Sequence, residues 1–318
     1  MHDSEIRSGA PNPNITCSVR DEYLGRPTLI RNVEHHDELD STNSHALRLI
    51  KIEPLELGSR VPLLILADRQ TAGRGRDGRT WWTGPGSIAM SLVVKLEVVP
   101  VPGVGQLDLR CARSQLGLSA AVALAMAIVE VEPHQLASGS AAPAERFFVI
   151  TGEERKDDKP ATTDGALSRP PFSVGIKWPN DVYINGKKVA GILVELAEPD
   201  WAVIGLGVNT NCLFREAPPE VQLRATSLRE LTGVVWDNRD LVATWLEKLG
   251  KLWAEMTIRP GAAAELANRW CVGIGEEFRV RSGNQVITGV CRGIAPDGAL
   301  LIEEPQGGIV KVFSGHVL

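Results

Sequence analysis

What this chain lacks narrows its function first. Cysteine is scarce: Cys17, Cys111, Cys212, Cys271 and Cys291 make an odd set of five, with no CxxC pair and no zinc-ligand spacing. That excludes a disulfide scaffold and a cysteine-rich zinc module, and reads as scattered, reduced thiols. No apolar run is long. The longest, Leu116 to Val129, falls short of the roughly 18 residues that mark a candidate membrane span. Its many alanines and its apolar character on every side predict a buried helix. The opening stretch MHDSEIRSGAPNPN is polar and has no apolar signal-peptide core. Positive charge is not in excess either: the formal net charge is −5, against the basic balance usual for a nucleic-acid binder. What remains, 43% hydrophobic and 23% charged residues, is the composition of a soluble globular protein with a substantial core. A cytoplasmic location and no membrane contact are expected.

Along the chain, residues 1–30 carry Pro, Asn, Ser and charges without sustained periodicity, predicting a loose leader. Asp40-Ser41-Thr42-Asn43 offers helix-capping residues, and Ala46, Leu47, Leu49 and Ile50 follow as a short apolar face. Val61–Ala67 and Ile88–Leu96 read as buried strands, and 115–130 as a helix. Residues 131–171 turn Ala/Ser/Pro-rich and then charged; Arg146–Ile150 is the one strand candidate there. A connection this long is expected to be a surface insertion. Four short strands follow at Val174–Ile176, Val182–Ile184, Ile192–Leu196 and Ala202–Leu206, with Asn185-Gly186 as a type I′ hairpin signal. Leu241, Trp245, Leu249, Leu252, Trp253 and Met256 recur at spacings of three and four, predicting an amphipathic helix over 240–256. The final stretch alternates around Ser282-Gly283-Asn284, Pro296-Asp297-Gly298 and Gln306-Gly307-Gly308, as in a small β-barrel.

Three clusters carry chemistry. Residues 69–79 hold four arginines and three glycines, ahead of Trp81 and Trp82. Glycine lets a backbone approach an anion, and arginine donates bidentate bonds to carboxylate or phosphate. Read alone, the segment is equally a solvated basic loop or a stretch that touches nucleic acid. Second, Lys177-Trp178-Pro179-Asn180-Asp181 leaves a strand, and a hairpin returns Lys187-Lys188-Val189-Ala190-Gly191-Ile192-Leu193. Asn180 and Asp181 serve as turn formers in the plain reading. Two lysines brought near one site suit a polyanion such as ATP. Third, Gly205-Leu206-Gly207-Val208-Asn209-Thr210-Asn211 ends an apolar strand; it is either a turn or a source of backbone and amide hydrogen bonds for a nucleotide.

Taken in order, AGRGRxGRxW, KWPND with KxAGIL beyond it, and GxGVNxN resemble the biotin protein ligases, over about Val33 to Leu231 and less specifically in the C-terminal region. The resemblance implies an α/β (α+β) fold: a class II aminoacyl-tRNA-synthetase-like mixed sheet with flanking helices, followed by a small C-terminal SH3-like β-barrel. It divides the chain into a leader (1–30), a catalytic domain (31–268, with the 131–171 insertion) and the barrel (269–318). It implies biotin contacts from Ser41, Thr42, Asn43, Gln70, Gly73, Arg74, Gly75, Arg76, Trp81, Lys188 and Gly191. Arg74, Arg76, Lys177, Asn180, Lys188, Asn209 and Asn211 are expected to bind ATP, and Lys188, Arg76 and Asp181 to act in catalysis. Trp81 is expected to pack over the ligand as the glycine loop closes. Biotin and ATP would be substrates, with Mg²⁺ held by ligands the sequence does not identify. The partner would be a biotin carboxyl carrier protein or a carboxylase's carrier domain, and the enzyme a monomer or homodimer.

The reaction so implied first joins biotin to AMP, then passes biotin to a carrier lysine. Bringing a carboxylate to a triphosphate is opposed by about 4 kcal/mol for two unit charges 4 Å apart at an effective dielectric near 20. Arg74, Arg76, Lys177, Lys188 and Mg²⁺ are the groups expected to offset it. A free lysine amine, with a pKa of about 10.4, is almost wholly protonated at pH 7, and Asp181 is the candidate to orient it and take its proton. Three alternatives stand beside this reading. A lipoate–protein ligase shares the chemistry, but the uninterrupted KWPND string favours biotin. A biotin-responsive DNA-binding regulator would need a reader element, for which residues 1–30 are expected to leave no room. A nucleotide-binding protein without transfer activity has no evident need of Lys188 and Asp181.

Overall fold

The computed structural model describes residues 15–19, 24–131, 172–197 and 199–318. The expected 131–171 insertion and its strand candidate, and most of the leader, lie outside the described residues. In chain order the first elements are β1 (Ile15–Val19), β2 (Asn32–Leu39), α1 (Thr42–Ile52), α2 (Pro54–Arg60), β3 (Leu63–Gln70), β4 (Ile88–Lys95), β5 (Val99–Val101), β6 (Gly105–Leu107) and α3 (Leu116–Glu130). Then come β7 (Val174–Lys177), β8 (Asp181–Ile184), β9 (Lys187–Ala197), β10 (Trp201–Val208), α4 (Pro219–Gln222), α5 (Leu228–Thr232), α6 (Asn238–Ile258) and α7 (Ala262–Asn268). Strands β11 (Glu277–Ser282), β12 (Gln285–Ile294), β13 (Leu300–Glu303), β14 (Ile309–Val312) and β15 (His316–Val317) finish the chain.

Eight strands form one sheet in the order β1-β2-β3-β4-β10-β9-β8-β7. Only β2 and β3 run parallel, joined through α1 and α2; the other pairs are antiparallel. The period-2 alternation of strand side chains decides which core each residue joins. Leu64, Leu66, Leu92, Val94 and Ile204 face α3, α6 and α7. Leu63, Ile65, Val93 and Val203 face α1 and α2, meeting Ala46, Ile50 and Leu57. Helix α3 is buried on nearly every side, as its composition predicts, and its polar backbone neighbours are satisfied. Trp245 Nε1 donates to Ala120 O (3.1 Å) and Trp253 Nε1 to Ser119 Oγ (3.0 Å). With the turn before it, Arg110–Glu130 is long and apolar enough to cross a membrane, the one such helix among the described residues; its burial makes it a core helix here.

The mixed sheet and the terminal five-stranded sheet, ordered β14-β13-β12-β11-β15, agree with the expected fold class. Several boundaries differ. The leader is not loose throughout: β1 pairs with β2, placing Cys17 in register with Glu34, and Leu24, Leu29 and Ile30 are buried. The strand expected from Val61 starts at Leu63, because Val61 closes α2 and Pro62 has no N–H to donate; it runs past polar Asp68 to Gln70. The Asn185-Gly186 hairpin is present, with φ values of 48° and 75°. The C-terminal sheet is docked on the catalytic sheet: Val272 N donates to Ile176 O (3.0 Å) and Trp178 Nε1 to Gly298 O (3.0 Å).

Candidate active site

The sheet's inner strand ends, the Arg-rich loop and residues His316–Leu318 enclose a cavity of about 1080 Å³. Three of its walls are the three clusters read from the sequence. Its lining carries six Lys/Arg side chains against three Asp/Glu, in a chain whose net charge is −5. The cavity is therefore a local cationic site.

At one end lie small polar groups. Ser41 caps α1, so Thr42 and Asn43 stand on its first turn and project at β4 and β10. Gln70 Oε1 accepts from Thr42 N (2.9 Å), and Gln70 Nε2 donates to Thr83 Oγ1 (3.1 Å). Ser91 Oγ lies 2.6 Å from Asn43 Oδ1 and 2.8 Å from Thr42 Oγ1. Asn43 Nδ2 donates to Glu195 Oε2 (2.9 Å) and Leu193 O (3.2 Å). This amide sits over Gly205 because nothing larger fits there: a Cβ on Gly205 would stand 2.1 Å from Asn43 Oδ1.

The floor is made the same way. The Trp81 indole lies across Gly207 and Gly191, where added Cβ atoms would approach it to 2.4 and 3.1 Å. Lys188 Nζ stands 5.5 Å from the centre of the Trp81 ring and 2.7 Å from Asp181 Oδ1. A register slip between Val182 and Tyr183 turns Lys188 toward the cavity, whereas Lys187 is exposed. Two buried polar atoms on the wall have no hydrogen-bond partner among the described residues, Trp81 Nε1 and Asn209 Oδ1. Buried polar atoms without partners are rare in native interiors, and at a cavity wall they are groups a ligand can satisfy.

The Arg-rich segment is a tight turn. Asp77 and Gly78 both have positive φ, 54° and 73°, and Gly75 N donates to Arg79 O (2.7 Å). An Asp-Gly pair is a turn signal in its own right. Arg74 is held bidentate by Glu195 (2.9 and 2.8 Å). Arg76 Nη1 donates to Asn180 Oδ1 (3.1 Å) and Nη2 to Gly315 O (2.8 Å), so this arginine ties the KWPND strand-end to the C-terminal sheet. Asn180 Nδ2 also donates to Ile192 O. Burial, more than the neighbouring charges, draws Lys177 below the usual lysine range. Burial and the Asp181 carboxylate push Tyr183 up to about 12.

Most of the expected residues thus meet at one cavity, but two do not line it. Gly73 is set behind it, where a Cβ would meet Trp81 O at 2.4 Å. Asn211 is committed elsewhere: its amide donates to Trp236 O (2.9 Å) and accepts from Trp236 N (2.8 Å). These bonds brace the loop before α6. Wall residues given no role from the sequence include Arg79, Tyr183, Arg224 and the terminal His316–Leu318, with Ser91, Glu195 and Gly315 bracing the wall from behind. Ser91 is a lone hydroxyl in an apolar strand, and Glu195 follows Gly191 and Leu193 at period two; both patterns could have marked them. The terminal residues offer no local signal, since only the docking of the last sheet brings them near.

Comparison with known proteins identifies the family. Residues 39–209 match the biotin/lipoate A/B protein ligase family, and residues 273–318 match the biotin protein ligase C terminal domain. The chain is 30% identical over 306 residues to the biotin--[acetyl-CoA-carboxylase] ligase of Mycobacterium tuberculosis, covering 95% of this chain and 94% of that protein. It is 29% identical over 323 residues to the bifunctional ligase/repressor BirA of Bacillus subtilis, covering 100% of this chain and 78% of that protein. Among solved structures, the biotin protein ligase from Aquifex aeolicus in complex with biotin and ATP is similar with a TM-score of 0.62 and 27% identity, covering 90% of this chain and 97% of that one. The chain belongs to the biotin protein ligase family.

Proposed function

We propose that this cavity makes biotinyl-5′-AMP from biotin and ATP and hands biotin to one lysine of a biotin-carrier protein or domain. The observation that carries the reading is the set of groups on one cavity wall: the hydroxyls and amides of Ser41, Thr42, Asn43 and Gln70, with the Arg74–Glu195 pair beside Asn43, the Trp81 indole as floor, and the cations Arg76, Lys177 and Lys188. Biotin carries a counterpart to each kind. Its ureido ring offers paired N–H donors and a carbonyl acceptor, matching Ser41, Thr42, Asn43 and Gln70, with Ser91 bracing Thr42 and Asn43 from behind. Its thioether ring and alkyl chain suit Trp81 over Gly191 and Gly207. Its carboxylate would then meet the triphosphate beside Lys188, Arg76 and Arg74. Lys177, Asn180 and Asn209 would face the nucleotide, with Asn209 Oδ1 gaining the partner it lacks.

Three of the cations are internally paired: Lys188 with Asp181, Arg74 with Glu195, and Arg76 with Asn180 and Gly315 O. An arriving phosphate competes for each of them with a higher charge. Transfer of Lys188 to the phosphate would release Asp181, leaving that carboxylate free to orient the carrier amine and take its proton in the second step. Mg²⁺ would enter with ATP and neutralise phosphate charge. Among the described residues, Asp77, Asp181 and Glu220 are the Asp/Glu side chains on the cavity wall, so the phosphates and water would provide most of its ligands.

Adenylation is tested by isotope exchange between pyrophosphate and ATP. Exchange that depends on biotin and is not supported by lipoate is expected. Exchange driven by lipoate and not by biotin would identify the alternative ligase, and no exchange with either would refute adenylation.

A further inference from the structure

Away from the cavity, on the other side of α1, three side chains converge with no part in the reaction above. Glu34 and His36 stand two apart on β2 and so share a face of the sheet; both are buried, with side-chain exposures of 7% and 5%. His45, on the first turns of α1, reaches down to them and is 19% exposed. His36 Nε2 lies 3.4 Å and His45 Nε2 3.2 Å from the same carboxylate oxygen, Glu34 Oε2. The ligand atoms of the three residues all lie within 4.8 Å of one another. The other carboxylate oxygen, Oε1, is held by Arg60.

We propose that Glu34, His36 and His45 form a site for a transition-metal dication of the zinc class, pinning α1 to β2. Three features carry this. Charge-assisted bonds to a carboxylate run about 2.7–2.9 Å, and both contacts here are longer. They do match the ligand–ligand edge of a tetrahedral site, about 3.4 Å when metal–nitrogen and metal–oxygen distances are about 2.0–2.2 Å. Second, Arg60 fixes the carboxylate so that one oxygen remains for both imidazoles, giving two nitrogens and one monodentate oxygen. Third, this donor set selects among cations: two imidazoles suit zinc, cobalt or nickel and not magnesium, which prefers oxygen. The site is therefore distinct from the magnesium that accompanies ATP. His45 N also donates to Ser41 O (2.9 Å), so a metal here would steady the turn that presents Ser41, Thr42 and Asn43 to the cavity.

The test uses the full chain, stripped with chelator and carrying Cys111→Ser to remove its exposed thiol, without biotin or ATP. Zn²⁺ is titrated in competition with a chromophoric chelator, and Co²⁺ binding is followed by visible absorption. One equivalent of metal and the intense bands of tetrahedral cobalt are expected. His45→Gln should weaken binding by more than about 100-fold, exceeding the loss typical of an outer-shell partner, while circular dichroism stays unchanged. X-ray absorption on the zinc-loaded protein should report two imidazoles at about 2.0–2.1 Å, which tests the proposal even where a variant folds poorly. Failure of the unsubstituted site to take up metal, equal affinity with His45→Gln, or sulfur in the zinc shell would overturn it.

Discussion

Gly207→Ala tests the floor of the cavity. A Cβ at this position would stand 2.4 Å from Trp81 Cε2 and 2.5 Å from Nε1, where ordinary contact begins at 3.4 Å. The indole must therefore retreat by about 1 Å. It has somewhere to go, because its opposite side faces the cavity, so the overpacking penalty should stay near the low end of about 1–3 kcal/mol. The displaced ring then occupies the space of the biotin rings, and a misplacement of about 1 Å at a reacting site can lower the rate about 100-fold. The expected result is a fall of about 100-fold in kcat/KM for biotin in pyrophosphate exchange, near 2.7 kcal/mol, with a shift of only a few degrees in Tm. Gly191→Ala, whose nearest neighbours stand at 3.1–3.2 Å and include the flexible end of Lys188, should cost less than about tenfold by the same reasoning. Trp81→Phe should recover part of the loss in the Gly207→Ala background, as expected of residues in contact. A Gly207→Ala enzyme within threefold of the parent would refute the claim that Trp81 on Gly207 forms the biotin floor.

Three further outcomes follow from the same geometry. Lys188→Ala should slow adenylation by about 100- to 1,000-fold, as for a lost oxyanion donor, while exposed Lys187→Ala leaves single-turnover rates nearly unchanged; equal effects would refute the assigned orientation. Burial holds Lys177 below the usual lysine range, and only its protonated form attracts phosphate. ATP affinity should therefore fall as pH rises through that lowered pKa, and calorimetry should find this alkaline loss abolished by Lys177→Arg. Free of ligand, the same group binds fewer protons folded than unfolded, so its unfavourable effect on stability lessens as pH rises through this window. Asn211→Ala should lower stability by about 1–3 kcal/mol, because it leaves the backbone at Trp236 without partners, and should leave the KM for ATP unchanged; a raised KM with normal stability would restore it to the nucleotide site.

How far the sequence revealed this depends on how local each feature is. The helix over 116–130 was legible because an apolar run of that length on every side has to be buried, and that over 238–258 because its apolar residues recur at three and four. The hairpin at Asn185-Gly186 was legible because two positive φ values need those residues. The bonds of Asn211 to Trp236 were not legible, since an asparagine at a strand end looks the same whether it faces a nucleotide or a backbone 25 residues on. The tie from Arg76 to Gly315 and the cluster of Glu34, His36 and His45 are products of tertiary packing, and no spacing in the chain announces them. β1 was hidden for a related reason: an edge strand of five residues carries too few positions for a period to emerge.

A single cavity on β9 and β10 is expected to hold biotinyl-5′-AMP, and a crystal structure of the protein with that adenylate bound tests this. The expected result has the ureido ring against Thr42, Asn43 and Gln70, the phosphate within hydrogen-bond reach of Lys188 and Arg76, and the nucleotide beside Asn209. An adenylate bound outside this cavity, or reversed within it so that the phosphate meets the hydroxyls of α1, would contradict the account.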